Sequence, residues 1–322
     1  MDLKTYFAGL FSRLGLTEAM GSWSDDRLES DGLSLYLCVL PGNVGAPAVV
    51  FIPGTSVYAL CYLELLLGLR RAGFNVVGFD PRGQGQSGGR RGDYTVMEHV
   101  ADARAVVAYA RDRFGGPVFV MGSSQGGIEA FYLAAAGEPI AGAICHNIAD
   151  LTDPESVRLV RFGPRGYGPA GRAAVALINA TASLTRLLAR LLPGLKVPIP
   201  LYLDLTREPM RVFGNAWEFV RQDPLALQSI TMRAFASLAG TSLPRPVEEI
   251  ATPILVLHSA GDHIFPETYI RRIYDRLRCD RELKVYPDLP HLITIEHVPR
   301  ILPDVIEWIH RRGARLADGP AP

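Results

Sequence analysis

The sequence holds only four cysteines in 322 residues, Cys38, Cys61, Cys145 and Cys279, and no two of them form a Cys-x-x-Cys pair. That scatter argues against a zinc ribbon or a thioredoxin-like redox motif. Each is expected to be a small buried hydrophobe. Neither charge is in excess, because 33 Lys plus Arg face 33 Asp plus Glu. No global field draws the chain to nucleic acid or to anionic membranes, and no nucleic-acid partner is expected. No apolar run approaches the roughly 20 residues of a membrane-spanning helix. The N-terminus carries Asp2 and alternates apolar with polar residues, unlike a secretory signal, so the expected location is cytoplasmic.

Core-forming material is plentiful: 48% of the residues are apolar and 20% charged, as in a globular protein. At 322 residues the chain exceeds the roughly 250–300 over which a single core keeps growing, which favours a compact domain carrying an insertion. Near the start, Leu3, Phe7, Leu10, Phe11 and Leu14 recur at helical spacing. This apolar face is expected to pack on the body of the protein. A weak membrane-surface contact or a dimer contact through it is the alternative, although Lys4 and Arg13 are few cations for an interfacial helix.

Arg27–Leu40 alternates in the manner of two antiparallel strands, and Asp31-Gly32 between them suits a tight hairpin turn. The apolar runs Ala48–Ile52, Asn75–Phe79, Val118–Met121 and Ala141–Cys145 then alternate with helical stretches over Tyr58–Ala72, Val96–Phe114 and Gly127–Ala136. Continuous apolar strands alternating with amphipathic helices predict a mostly parallel sheet covered on both faces. The alternation stops at about Leu151. From there to Val247, Pro- and Gly-punctuated segments include helical patterns over Ala173–Leu192 and Ala216–Phe235, read as a mainly helical cap. Strand, helix, strand and helix resume over Ile254–His258, Glu267–Leu277, Glu282–Tyr286 and Ile301–His310. The expected organisation is core 1–150, cap 151–247 and core 248–322.

Gly122-Ser123-Ser124-Gln125-Gly126 contains Gly-x-Ser-x-Gly, placed between an apolar strand and an amphipathic helix. A serine on so sharp a turn is pushed out over the sheet edge, and glycine is needed two residues to either side. Ser124 is therefore the candidate nucleophile, whereas Ser123 falls out of register. A hydroxyl needs a base, and a base needs orienting. Along this fold nucleophile, acid and base follow in the order Ser, Asp, His. His291, after the last expected strand, and Asp262, in the loop after Ile254–His258, fit that order. Asp150 is the reserve acid, Asp288 lies too close to His291 in sequence, and His263 reads as a loop or cap contact. The oxyanion formed on attack calls for backbone N–H donors. Gln125 follows the nucleophile and would supply one, while Thr55, in the turn Pro53-Gly54-Thr55-Ser56, would supply the other. Gly83-Gln-Gly85-Gln-Ser-Gly88 has the spacing of a dinucleotide fingerprint, but no helix opens at its last glycine, and that reading is set aside.

With these residues placed, the chain resembles the monoacylglycerol lipase, lysophospholipase and serine aminopeptidase-like branch of the α/β-hydrolases. The segment Asp80-Pro-Arg82-Gly83-Gln-Gly85-Gln-Ser87-Gly-Gly89 is similar to that branch's Asp-x-Arg-Gly-His-Gly-x-Ser-x-Gly loop. The similarity covers about 48–136 and 253–310. It implies Ser124, Asp262 and His291 as triad, Thr55 and Gln125 as oxyanion donors, and no metal or organic cofactor. Pro53, Ser123 and Gln125 depart from the residues usual in the branch and leave the triad untouched. The expected activity is cleavage of small-molecule esters with apolar acyl groups, with Leu177, Ile178, Leu184, Leu187, Leu188, Leu191 and Leu192 of the cap as candidates to line the acyl site. An amidase or aminopeptidase is the first rival, and a non-catalytic receptor on the same fold the remote one.

Overall fold

The computed structural model describes residues 2–164, 168–180 and 182–317. Eight strands form the central sheet: β1 (Ser24–Ser30), β2 (Leu33–Leu40), β3 (Ala48–Ile52), β4 (Asn75–Phe79), β5 (Val118–Ser123), β6 (Gly142–His146), β7 (Ile254–Ser259) and β8 (Arg281–Tyr286). Their spatial order is β1-β2-β4-β3-β5-β6-β7-β8, with β2 antiparallel to its neighbours and the pairs from β4 through β8 parallel. The hairpin turn falls at Asp31-Gly32, both at positive φ (48° and 74°), the geometry that a two-residue turn demands.

Strand periodicity separates the two faces. Val49 and Phe51 of β3 join an apolar cluster with helices α2 (Leu63–Arg71) and α10 (Val298–Ala317). Val50 and Ile52 point the other way, toward α3 (Val96–Phe114), α4 (Gln125–Ala136) and α9 (Glu267–Tyr274). A sheet so covered has apolar residues on both faces of its inner strands, which is why they read as unbroken runs. The parallel register aligns Ile52 with Gly122, Ser123 with His146, and Ser259 with Tyr286. The carboxyl ends of β3, β5, β6, β7 and β8 therefore share one edge.

The N-terminal helix α1 (Leu3–Arg13) buries Phe7, Leu10 and Phe11 in the core. Phe11 lies 5.7 Å from both Phe7 and Trp23 between ring centres. Its apolar face is occupied by the body of the protein. Cys38 and Cys145 are buried, whereas Cys61 and Cys279 are half-buried and so only partly match the expectation of core cysteines.

Between β6 and β7 the described residues add no strand to the central sheet and have a small apolar cluster of their own, including Val197, Ile199, Tyr202 and Ile230, closed by Tyr94 from the core. This segment is less uniformly helical than its sequence suggests. The stretch expected as one helix over Ala173–Leu192 is two, α5 (Pro169–Ala180) and α6 (Ala182–Leu191), and Thr181 between them lies outside the described residues. The stretch expected over Ala216–Phe235 is α7 (Ala216–Gln222), a short strand Ser229–Thr231 paired with Lys196–Pro198, and α8 (Met232–Leu238). Pro224 explains the break: a residue preceding proline is driven out of the helical region, and Asp223 sits at φ −84°, ψ 121°.

Candidate active site

Ser124 stands between β5 and α4 at φ 54°, ψ −117°, a conformation that side chains other than glycine rarely take. The turn tolerates this because its neighbours have no side chain. A Cβ on Gly122 would lie 1.9 Å from the carbonyl oxygen of Gly126, and one on Gly126 would lie 2.2 Å from that of Ile52. Ser123 points into the body instead, with its hydroxyl 2.7 Å from that of Thr294 and 3.3 Å from His146 Nδ1.

The loop after β8 carries His291 back across the strand ends, so that its Nε2 lies 3.0 Å from Ser124 Oγ. Its Nδ1 lies 2.6 Å from Asp262 Oδ2. The imidazole is nearly parallel to the ring of Phe265, 5.6 Å between centres, and its backbone N–H donates to Glu208 Oε2 at 3.1 Å. Asp262 is itself held by the turn that follows it, where the N–H groups of Ile264 and Phe265 donate to Oδ1 at 2.8 and 2.9 Å. Burial pushes the Asp262 carboxyl up, but the charge of His291 and these hydrogen bonds outweigh it and hold the group well below the ordinary range. The structure thus brings together three side chains spread over 168 positions of chain. The reserve acid Asp150 is engaged elsewhere, accepting from Thr152 and lying 3.6 Å from Arg276. Asp288 pairs with Arg300 at the surface. His263 contacts Glu208 at 2.9 Å and the Asp204 carbonyl at 3.1 Å, the interloop contact expected of it.

Thr55 and Gln125 are joined through their side chains, because Thr55 Oγ1 donates to Gln125 Oε1 at 2.7 Å. The same oxygen accepts from Tyr94 at 3.1 Å, and Gln125 Nε2 donates to the buried Glu129 at 2.8 Å. Gln125, a departure from the branch by sequence, thus ties its own turn to that of Thr55, the other candidate oxyanion donor. The Gly54 N–H is already used by Tyr62 at 3.0 Å, which leaves Thr55 as the next amide in that turn. Gln125 opens α4, where the first N–H groups have no intrahelical partner. The Asp80–Gly89 loop is tied to the segment that follows the turn: the buried Asp80 accepts from the N–H groups of Ala59 and Gln86, both at 2.8 Å. Two of the loop's glycine amides are likewise occupied, Gly83 donating to Gly88 and Gly88 to Ser34. A carboxylate and engaged amides make no cradle for a phosphate.

A family model described as serine aminopeptidase, S33, matches residues 46–297. The chain belongs to that family. Among curated proteins it is 25% identical over 297 residues to a non-heme chloroperoxidase of Streptomyces lividans, covering 87% of this chain and 97% of the relative. Among solved structures it superposes on a monoacylglycerol lipase of Paleococcus ferrophilus with a TM-score of 0.64 at 23% identity, covering 86% of this chain and 99% of that one. A soluble variant of the monoglyceride lipase of Saccharomyces cerevisiae, bound to a substrate analogue, gives 0.71 at 20% identity over 90% and 96% of the two chains. The architecture is the α/β-hydrolase fold, and the family is one of hydrolases.

The cavity lies at the carboxyl ends of the strands, where open α/β sheets place their ligands. Ser124, His291, Thr55 and Gly54 form its floor, and Leu203, Leu205, Met210, Phe219, Ile264 and Ile295 its walls. The leucines expected there are not. Leu177, Leu184 and Leu191 are 70%, 57% and 67% exposed, and neither they nor Leu188 lines the cavity. They were candidates as the apolar residues of an expected cap helix, but Leu177 falls on α5 and the others on α6, and the path of the chain decides that the cavity is walled by the segment from Leu203 to Val220. Among the described residues, one group of three, His146, Asp262 and His291, is spaced closely enough to hold a metal ion. Two of its donors, Asp262 Oδ2 and His291 Nδ1, are already bonded to each other. No described helix is long and apolar enough to cross a membrane.

The environment of His291 sets a pH dependence. Burial depresses its basicity, but the charge and hydrogen bond of Asp262, with Glu208 adding to them, raise its pKa above the ordinary 6.5. Proton abstraction needs the neutral ring. Activity is therefore expected to disappear as pH falls through the raised value, so the acid limb of kcat/KM lies above 6.5, the ordinary value. Ester hydrolysis across pH 5–9 reads it, and a limb centred below the histidine reference of about 6.5 would contradict the ion-paired geometry.

Proposed function

We propose that this protein is a serine esterase acting on small-molecule esters with apolar acyl groups. The observation that carries the reading is the hydrogen-bonded chain from Ser124 through His291 to Asp262, with Ser124 and His291 at the floor of an apolar cavity. Ser124 Oγ attacks the ester carbonyl while His291 Nε2 takes its proton, and the oxyanion is received by the N–H groups of Thr55 and Gln125. His291 returns the proton to the leaving alcohol, which leaves an acyl group on Ser124. Water, deprotonated by the same imidazole, then releases the acid. Asp262 holds the ring and stabilises its charged form throughout. The reading requires no metal or organic cofactor. The segment 151–247 acts as the cap: it contributes the apolar wall from Leu203 to Val220.

The family's aminopeptidase description favours a second reading, cleavage after an N-terminal residue. Such a substrate brings a cationic amine that needs an acid to receive it, and no Asp or Glu is among the residues that line the cavity. Glu208, buried behind His291, has its carboxylate turned to the His291 N–H and to His263. Esters are therefore the better fit. Turnover of nitrophenyl esters compared with matched anilides and amino-acid anilides tests the choice, and preference for the last would overturn it.

Burying each added methylene is worth about 0.8 kcal/mol, or nearly fourfold in kcat/KM while the cavity can hold it. Efficiency is expected to rise from acetyl to at least hexanoyl esters and then level off or fall. Leu205→Asp puts a charge in the wall that must be desolvated against an apolar chain, so the hexanoyl advantage shrinks while the acetyl rate changes little. Leu188→Asp, away from the cavity, leaves the preference as it was. An unmodified protein that cleaves acetyl better than hexanoyl esters would remove the acyl-reading role.

A further inference from the structure

The loop after β6 brings one more polar side chain to the same edge of the sheet, and neither the family match nor the sequence motifs assign it a role. Asn147 is fully buried and follows β6 directly, at φ 68°. Its backbone N–H donates to the Leu257 carbonyl at 3.0 Å, which ties the turn to β7. Asparagine tolerates this left-handed conformation better than most residues, but glycine would serve the backbone equally well. The side chain has its own partners. Asn147 Nδ2 donates to Asp262 Oδ2 at 2.9 Å, the oxygen that also faces His291, and Asn147 Oδ1 lies 2.7 Å from His258 Nδ1.

The chemistry of these groups fixes their orientation. An ionised carboxylate only accepts, so the Asn147 amide must turn its NH2 toward Asp262 and its carbonyl toward His258. His258 must then carry its proton on Nδ1. Burial lowers its pKa and keeps the ring neutral, which leaves one ring N–H for that purpose. Asp262 in turn receives Ile264 and Phe265 on one oxygen and Asn147 and His291 on the other, and this fills its lone-pair sites.

We infer that Asn147, locked by His258, is a positioning residue for the reaction. It holds the Asp262 carboxylate at the angle His291 requires and shares the charge of the oxygen that His291 uses. The inference rests on the serine mechanism proposed above. Asn147 is not among the residues that line the cavity. Other titratable groups face the pair. His146 of β6 sits 5.1 Å from the His291 ring, Glu208 approaches His291 from the cap, and Glu267 and Arg271 of α9 act on His258.

The test compares Asn147→Gly, which keeps the backbone conformation and deletes the amide, with His258→Ala and His258→Asn. Loss of one hydrogen bond to a buried charge is expected to lower kcat roughly 10–100-fold, with KM within about twofold because the cavity is untouched. Without the amide, more of the Asp262 charge falls on His291, so the acid limb of kcat/KM moves to higher pH. His258→Ala shifts both quantities the same way by less. His258→Asn restores most of the loss, since its Nδ2 can take the place of the ring Nδ1–H, and this pair of variants decides the matter even if Asn147→Gly does not fold. Unchanged kcat and acid limb in a folded Asn147→Gly, or His258→Asn no better than His258→Ala, overturns the inference. Failure of the serine mechanism itself shows separately, as turnover surviving in Ser124→Ala.

Discussion

Ser124→Ala is expected to lower ester turnover by on the order of 10⁶-fold, because nucleophile and base act as a unit and removing one forfeits the contribution of both. It should also abolish labelling by a fluorophosphonate, which reacts with an activated serine. The strained turn at Ser124 and the 3.0 Å approach of His291 Nε2 supply the activation. Ser123→Ala is the matched control. That hydroxyl faces Thr294 and His146 inside the body, so its loss changes packing and leaves labelling in place. Turnover surviving in Ser124→Ala, or label found on Ser123, would end the serine mechanism.

Asp262→Asn should cost about 10⁴-fold in kcat, through the tautomer of His291 rather than through misplacement. An amide N–H facing Nδ1 forces the ring proton onto Nε2, where it can no longer accept from Ser124. The fold should tolerate the change, because the new side chain has the same shape, its carbonyl oxygen can still accept from Ile264 and Phe265, and the Asn147 amide can turn its carbonyl toward the new NH2 while His258 changes tautomer. Asp150→Asn should be nearly silent by comparison, given that Asp150 serves Thr152 and Arg276. A damaging Asp150→Asn beside a mild Asp262→Asn would reverse the assignment of the acid.

The sheet and the positions of Ser124, Asp262 and His291 were legible along the chain because each is fixed by short-range rules. Unbroken apolar runs specify strands buried on both faces, and a serine flanked by Gly122 and Gly126 specifies a turn no bulkier residue could make. A carboxylate and an imidazole after late strands can then arrive at one place only because parallel strands align their carboxyl ends. The N-terminal helix was equally clear, since its spacing of Phe7, Leu10 and Phe11 already shows an apolar face to bury.

Tertiary structure alone decided the rest. Gln125 looked like a departure until folding placed its amide between Thr55 and Glu129, a link across 70 residues that no local pattern carries. Asn147 and His258 lie in unremarkable sequence, and only the pairing of β6 with β7 sets them side by side behind Asp262. The cavity wall was misplaced for the same reason. Helical periodicity shows that the leucines of α6 share a face, but the course of the chain over the sheet determines that Leu203, Leu205 and Phe219, and not that face, close over Ser124. Sequence patterns specify which residues must be buried or turned; contact between distant segments, and with it the shape of the site, exists only once the whole chain has packed.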